Sequence, residues 1–320
     1  MSWKPIVVGV DASFEAAEAV AFATRTAQRT GTGVQLVHAI RDALASSQVP
    51  DSRYRSALIE QSRAQLVAVL RASLPQEVLA ILSVRLGPTA AVLKQVAADV
   101  AAELVVLGGK HHSALGRWLG GSTSLNVART TDVPLLVTAG RATAVHRVLV
   151  AVDLSGAAAP TLAAAQRYAE LFGAELRAVS VLEPLPVMPE ITPPYDVTEY
   201  DAMSEELVQR ELWPLISSRS VEKVVRHGTA VATISQEVAD WRADLLVVGS
   251  HGKGWAQRLL LGSVTEQLLN HLPTSLLVVP AATAAVEPVP ANAEWPEPTA
   301  LRAEASSLTA PAALCRACRG

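Results

Sequence analysis

The residues best suited to chemistry form a glycine-rich motif in the second half of the chain. Gly249 and Gly252 are followed, after nine intervening residues, by Gly262 and Ser263. An apolar run at 245–248 precedes the motif, and a short amphipathic segment follows it. This order of strand, glycine loop and helix start is typical of phosphate binding. Helix N-terminal N–H groups carry partial positive charge and have no partner inside the helix.

The same residues also allow a structural interpretation. Ser263 and Glu266 have the spacing of a capping box, which would stabilise the helix by about 1 kcal/mol without any ligand. Asp153, which ends an earlier strand, could be an ordinary turn residue, and a lone loop histidine such as His251 is more often structural than catalytic. Neither a Walker A loop nor the Rossmann Gly-x-Gly-x-x-Gly pattern occurs. With Asp153 as the one obvious acid, we expect any turnover to be slow.

The glycine motif occurs twice at one offset. Gly249 lies 141 residues after Gly108, and Gly262 lies 141 residues after Gly121. Strand-ending aspartates recur upstream at an offset of 142. A repeat this regular predicts two copies of one unit, which we place at 1–140 and 146–280, followed by a disordered Ala- and Pro-rich tail at 281–320.

Both halves alternate short apolar runs with amphipathic segments, which predicts an α/β fold: a parallel sheet with helices on both faces. The third strand is placed at 78–84. The proline-rich stretch 183–202 is interpreted as a long irregular loop.

The composition excludes several classes of protein. The net charge of −3 and the lack of a basic block argue against nucleic acid as a partner. Apolar runs are far shorter than the ~20 residues that cross a bilayer, so no membrane association is expected. No signal peptide is recognisable, and the two cysteines, Cys315 and Cys318, both lie near the C-terminus. We therefore expect a cytoplasmic protein without disulfides.

The spacing Gly-x-x-Gly-x9-Gly-Ser, with a strand-ending aspartate upstream, resembles the universal stress protein family. The resemblance is to its ATP-binding branch in the tandem two-domain form, and it covers roughly residues 3–280. It implies two five-stranded, doubly wound parallel sheets in the order 3-2-1-4-5, and ATP, with or without Mg²⁺, bound with slow or no hydrolysis. It also implies a homo-oligomer or an intramolecular pseudo-dimer, a role as a stress sensor or regulator, and a regulatory protein partner of unknown identity. The alternatives are an interaction module with vestigial sites and a slow ATPase.

The resemblance also assigns site residues. In the second repeat, Asp153 and the backbone of Val181 would hold the nucleoside. The residues around the phosphates would be Gly249, Gly252, Gly262, Ser263, Val264 and Thr265. In the first repeat the corresponding residues are Asp11, Ala39, Gly108, Gly121, Ser122 and Ser124.

The first repeat departs from the family pattern at one glycine. His111 stands opposite Gly252, where a side chain would crowd the phosphates. Leu125 replaces the residue that corresponds to Glu266. We therefore expect the second site to bind nucleotide well, and the first site to be weaker, altered or empty.

Overall fold

The computed structural model describes residues 3–40, 52–109, 123–140, 144–184, 197–216, 218, 220–251 and 261–280 of the chain. None of the helices in these ranges is both long enough and apolar enough to cross a bilayer. The strands are β1 (Ile6–Gly9), β2 (Val34–Ile40), β3 (Leu82–Leu86), β4 (Leu104–Gly108), β5 (Leu135–Thr138), β6 (Arg147–Ala151), β7 (Glu175–Leu182), β8 (Glu222–His227), β9 (Leu245–Gly249) and β10 (Ser275–Val279). The helices are α1 (Phe14–Thr30), α2 (Ser52–Leu70), α3 (Gln76–Ala80), α4 (Thr89–Asp99), α5 (Thr123–Thr130), α6 (Ala158–Phe172), α7 (Val197–Leu207), α8 (Ala230–Trp241) and α9 (Ser263–His271).

The ten strands listed above form one sheet in the order β3-β2-β1-β4-β5-β10-β9-β6-β7-β8. Within each half the neighbouring strands are parallel and follow the expected order 3-2-1-4-5. The α/β fold class is therefore confirmed. The two sheets are joined rather than separate, because β5 and β10 pair antiparallel.

The seam between the two halves is symmetric in sequence. Leu136 pairs with Leu277. The two residues are counterparts in the repeat, because Leu277 lies 141 residues after Leu136. Both side chains are buried. An unpaired fifth strand would leave a row of exposed N–H and C=O groups, and this pairing satisfies both edges at once. The chain thus pairs its two fifth strands with each other.

Equivalent hydrogen bonds confirm the register of the repeat. Glu103 accepts the backbone N–H of Lys4 at 2.9 Å, and Asp244 accepts that of His146 at 2.7 Å. The N–H groups of Glu103 and Asp244 in turn donate to the carbonyls of Pro5 and Arg147, at 3.0 and 2.9 Å respectively. In both repeats an acid just before the fourth strand therefore fastens the start of the first strand.

Two apolar cores cover the two faces of the sheet, since successive side chains of a strand point to opposite sides. Ile6 and Val8 belong to the core that contains α1 and α6, whereas Val7 belongs to the core of α4, α5, α8 and α9. Each core continues across both repeats.

Aromatic contacts join the repeats on the first face. Phe22 and Phe172 meet edge to face at 5.8 Å between ring centroids, and Trp3 and Tyr168 meet in the same way at 5.5 Å. The Arg167 guanidinium lies 3.8 Å from the centre of the Trp3 ring. These contacts add directional packing to the buried apolar area.

Two elements differ from the sequence prediction. The third strand begins at Leu82 rather than at 78, because Pro75 starts a short helix over 76–80. The stretch interpreted as an irregular loop up to 202 is helical from Val197 onward. Its prolines all precede that residue, and proline is compatible with the chain before a helix but not inside one.

Candidate functional site

A cavity of about 520 Å³ opens at the carboxyl ends of β6, β7 and β9 in the second repeat. Parts of α7, α8 and the start of α9 complete its wall. The cavity brings together all but one of the residues predicted for this repeat: Asp153, Val181, Gly249, Gly262, Ser263, Val264 and Thr265. Gly252, the remaining one, lies outside the described residues.

The position of the cavity follows from the strand order. β6 lies between β7 and β9. The helix that follows β6, α6, packs on one face of the sheet, and the helix that follows β9, α9, packs on the other. A crevice forms at such a switch point, and ligands of doubly wound folds bind there. Asp153 follows β6 directly at this crevice, while Val181 lies on β7 beside it. The backbone bond from Val152 to Val179, 3.0 Å long, carries the pairing of the two strands to the edge of the crevice.

Hydrogen bonds tie the end of β9 to the start of α9. The N–H of Gly262 donates to the carbonyl of Ser250 at 2.8 Å, and the hydroxyl of Thr265 donates to the carbonyl of Gly249 at 2.7 Å. Thr265 is buried. Its single hydroxyl proton is therefore committed to the backbone of Gly249, and this bond ties the start of α9 to the end of β9.

The capping box predicted at this helix is wrong. Gly262 occupies the N-cap position with extended backbone, no side chain caps the helix, and Ser263 is the first helical residue. The carboxylate of Glu266 reaches Arg129 of α5 at 2.9 Å. Because no side chain of the described residues caps the first-turn N–H groups, the start of α9 suits an anion.

His251, which the sequence analysis treated as more often structural than catalytic, is among the residues that line the cavity. Its Nδ1 lies 2.8 Å from the hydroxyl of Ser250, and its ring lines the cavity. The other ring nitrogen, Nε2, is buried and has no hydrogen-bond partner among the described residues. Buried polar atoms in proteins are normally paired, so this nitrogen is able to hydrogen-bond a polar atom in the cavity.

One wall of the cavity comes from α7, which the sequence prediction missed. Tyr200, Met203, Ser204 and Leu207 line it, with the spacing i, i+3, i+4, i+7 of a single helix face. That periodicity was available in the sequence. The proline-rich context hid it, because it suggested a loop throughout.

A fixed carboxylate lies where β7 ends. Glu183 lines the cavity, and its Oε1 accepts the N–H of Ala230 at the start of α8, at 2.9 Å. A carboxylate there is stabilised by the helix dipole. Glu183 therefore contributes negative charge to the cavity from a restrained position.

The first repeat places its predicted residues differently. Asp11 accepts the N–H of Ser13 at 3.0 Å and is also in very short contact with the Ser13 hydroxyl. That hydroxyl in turn caps α1 by accepting the N–H of Ala16 at 3.2 Å. Ala39 lies on β2, and Ser124 is in the first turn of α5.

The end of β4 is closely covered in this repeat. A Cβ added at Gly108 would lie 2.4 Å from the backbone of Glu15, so α1 approaches this strand as closely as only glycine permits. The other two predicted residues, Gly121 and Ser122, lie outside the part of the chain that the structure describes, as does His111.

The fold and the cavity define a doubly wound α/β protein built from two copies of a unit, with a cavity at the switch point of the second copy. The model of the universal stress protein family matches residues 2–139 and 144–280. The chain therefore belongs to the universal stress protein family, in its tandem form.

Individual proteins agree with this membership. A universal stress protein of Mycolicibacterium smegmatis is 29% identical over 295 residues, which cover 86% of this chain and 96% of that protein. The crystal structure of a universal stress protein from Archaeoglobus fulgidus has a TM-score of 0.58 at 19% identity, covering 87% of this chain and 97% of the other. A functionally unknown protein of Pseudomonas aeruginosa superposes with a TM-score of 0.57 at 15% identity, over 87% of this chain and 92% of the other. At these identities the two structures support the fold alone.

Proposed function

We propose that the chain is a cytoplasmic stress-response protein that binds ATP, mainly in its second repeat, and acts as a sensor or regulator with slow or no hydrolysis. Family membership supports the stress-response role. The observation that carries the binding role is the cavity at the switch point of the second repeat. It combines a strand-ending aspartate with a helix start that no side chain among the described residues caps.

The cavity has the size of a nucleotide site, and its lining offers both apolar contacts and hydrogen-bond donors. Its volume of about 520 Å³ falls within the roughly 300–1,000 Å³ of small-molecule sites. The apolar side chains of Leu207, Ile234 and Val248 offer contacts for a base. The start of α9 also lines the cavity and offers N–H donors to phosphates. Asp153 would accept hydrogen bonds from the nucleoside.

The described residues of the cavity favour binding over catalysis. Its two carboxylates are Asp153 and Glu183, and the second already accepts the N–H of Ala230. No group of three or more His, Cys, Asp or Glu side chains in the described ranges could hold a metal ion. Any Mg²⁺ would therefore depend on the phosphates of ATP for most of its ligands. A sensor that holds ATP without rapid turnover is consistent with this arrangement.

The first repeat is proposed to bind ATP weakly or not at all. Asp11 and Ser13 are engaged with each other and with the start of α1, and the backbone of Glu15 lies against Gly108. The sequence adds His111 in place of the second motif glycine. Both features reduce the room for a phosphate.

Calorimetric titration of nucleotide-free protein with ATP tests the proposal. We expect about one ATP per chain. At 100 times the dissociation constant, ATP should stabilise the protein by about 2.7 kcal/mol, or several degrees in melting temperature. Absence of both heat and thermal shift at millimolar ATP would refute the binding role.

A matched pair of variants assigns the site. Asp153→Asn keeps the size of the side chain and removes the charge, and we expect it to weaken ATP binding by about tenfold, the equivalent of one charged hydrogen bond. Asp11→Asn makes the same change in the first repeat and should leave the affinity within a factor of two. The reverse result would move the site to the first repeat.

Phosphate release under saturating ATP separates the regulator from the slow ATPase. We expect well below one turnover per minute. A faster rate would favour the enzyme. Retention of stress-related function by a variant that no longer binds ATP would favour an interaction module with vestigial sites.

A further inference from the structure

The helix α7 forms one wall of the second-repeat cavity, yet it buries none of the side chains that face inward. Tyr200, Met203, Ser204 and Leu207 line the cavity. Of residues 200–207 none is buried, and Met203 is 58% exposed. A surface helix is usually stabilised by an apolar face that packs on a core. In α7 that face borders the cavity instead.

The contacts on the outer side of α7 add little stability. His227 lies at the end of β8, with Nε2 2.7 Å from Glu205 and Nδ1 4.0 Å from Asp201. All three side chains are exposed to solvent by more than a third, and exposed pairs of this kind contribute little. Helices shorter than about 12–15 residues are marginal on their own, and α7 has 11 residues. Its stability therefore depends on what its inward face contacts.

The chain that follows α7 is firmly anchored. Val208, Leu212 and Trp213 are buried, at 1%, 0% and 4% exposure. Val208–Leu212 forms a π-helical turn, a rare conformation that is frequent at functional sites. A change of helix type thus marks the boundary between α7 and the anchored segment.

The corresponding helix of the first repeat lacks both features. At an offset of 142, α2 continues as a single α-helix through the positions that correspond to 208–212. Gln61 and Gln65 occupy the positions of Met203 and Leu207. The apolar inward face and the π-helical turn therefore occur together in the repeat that we propose as the nucleotide site.

We infer that α7 is a nucleotide-dependent wall of the cavity: it exchanges between closed and open states about the π-helical turn, and bound ATP holds it closed by supplying the contacts that its inward face lacks. The inference rests on the proposed function, because it names how that site is regulated. Local opening of this kind is expected where few apolar contacts are buried.

The closure of α7 gives the proposed sensor a readout at its surface. Glu205 and Glu206 are exposed and are not among the residues that line the cavity. Since they belong to α7, the position and order of these acidic side chains change with the occupancy of the site. Bound ATP is thereby reported on the outside of the protein.

Hydrogen exchange of the backbone amides of residues 201–207, measured on the full chain with and without ATP, tests the inference. If the open state does not bind ATP, exchange through opening slows by the factor 1 + [ATP]/Kd, about 100-fold at 100 times the dissociation constant. We expect at least about tenfold slowing, which allows for weak binding to the open state. The amides of residues 59–65 in α2 are the matched control, and ATP should leave their exchange unchanged.

A double variant, Met203→Gln with Leu207→Gln, copies the first repeat and removes the apolar face. It should weaken ATP binding by about tenfold in calorimetry, the effect of losing contacts from two apolar side chains. Without ATP, its exchange at 201–207 should equal that of the unaltered protein, because neither side chain is buried. Glu206→Gln, on the same helix but outside the cavity lining, should leave the affinity unchanged.

The outcomes separate the inference from the proposed function. Exchange at 201–207 that ATP does not slow, while calorimetry shows binding, would overturn the inference and leave ATP binding intact. Faster exchange of the double variant without ATP would also overturn it, because protein contacts would then hold α7 closed. Absence of ATP binding by the unaltered protein would overturn the proposed function and the inference together.

Discussion

The two repeats share one sheet topology, but their first helices begin at different places. In the first repeat α1 begins at Phe14, capped by Ser13. In the second repeat α6 begins at Ala158, two residues later than the counterpart of Phe14, with Ala157 as an N-cap that makes no side-chain bond. The residues released from the helix, Gly156 and Ala157, form a turn three residues after Asp153.

The later start changes the space above the fourth strand of each repeat. A Cβ at Gly108 would meet the backbone of Glu15 at 2.4 Å, whereas a Cβ at Gly249 would meet the Cβ of Ala157, the counterpart of Glu15, at 3.1 Å. A small change at a helix start thus alters the switch point while the strands stay equivalent. Because both repeats share the same fold, we expect any difference in nucleotide binding between them to depend on these local features.

The largest expected effect is on the free energy of unfolding, and it comes from the seam between β5 and β10, to which both repeats contribute equally. Leu136→Ala and Leu277→Ala each remove a buried side chain at the seam, where the two residues face each other. Each should lower the free energy of unfolding by about 2–5 kcal/mol. Urea unfolding measures both. Because the seam is symmetric, the two losses should agree within about 1 kcal/mol, and a larger difference would break the equivalence of the repeats.

The next effect is a difference in stability between equivalent glycine variants of the two repeats. Gly108→Ala should destabilise by about 1–3 kcal/mol or more, because the new methyl group overlaps backbone that cannot move alone. Gly249→Ala should cost about 1 kcal/mol or less, since its nearest neighbours are the side chains of Ala157 and Thr161 at 3.1 Å. Unfolding of the two variants without nucleotide measures this difference. Equal losses would mean that both helices approach their strands equally closely.

Part of this asymmetry could be predicted from sequence, and part could not. The alternation of strands and helices predicted a parallel sheet in each half. The strand order within each half came from the resemblance to the universal stress protein family. The same resemblance named seven residues of the second repeat that line one cavity. The later start of α6 was not predictable, because Ser155 has the same type as the capping Ser13. The helix α7 was missed because the prolines before it led to the prediction of an irregular loop, although the residues of α7 that line the cavity have helical spacing.

A third effect concerns a buried position at which the two repeats carry different residues. Tyr168 of α6 corresponds to Thr26 of α1, whose buried hydroxyl donates to the carbonyl of Phe22 at 3.0 Å. The Tyr168 hydroxyl is buried and has no hydrogen-bond partner in the described ranges. Tyr168→Phe should therefore be neutral or should stabilise the protein by about 1 kcal/mol, because it removes an unpaired polar group.

The same variant should change the response to alkaline pH. Burial, with the Glu103 carboxylate adding to it, raises the pKa of Tyr168 above its ordinary value of 10.0. Above pH 10 the unfolded chain loses this proton while the folded protein retains it, so stability falls as the pH rises. Tyr168→Phe should show a shallower fall between pH 9 and 11 in urea titrations. An unchanged slope, or a loss of more than 1 kcal/mol at neutral pH, would contradict the assignment.

The smallest effect tests whether the first repeat influences the site of the second. Arg129 of α5 pairs with Glu266 in the first turn of α9, but their counterparts at the mirrored position are Asn270 and Leu125, which cannot form an ion pair. Both charged side chains are about a third exposed, at 35% and 38%. A double-mutant cycle with Arg129→Ala and Glu266→Ala should give a coupling of only about 0.5 kcal/mol.

The effect on ATP should be more specific than the effect on stability. In Arg129→Ala the carboxylate of Glu266 is left uncompensated near the start of α9, so ATP affinity should fall by about two- to threefold at low salt and recover as salt screens the charge. Glu266→Gln removes that repulsion and should cancel the loss in the double variant. If Arg129→Ala weakens adenosine as much as ATP, the residue acts through packing. If only ATP is weakened, the repeat with the poorer site supplies a charge that the better site uses, which would give a physical reason for keeping both repeats in one chain.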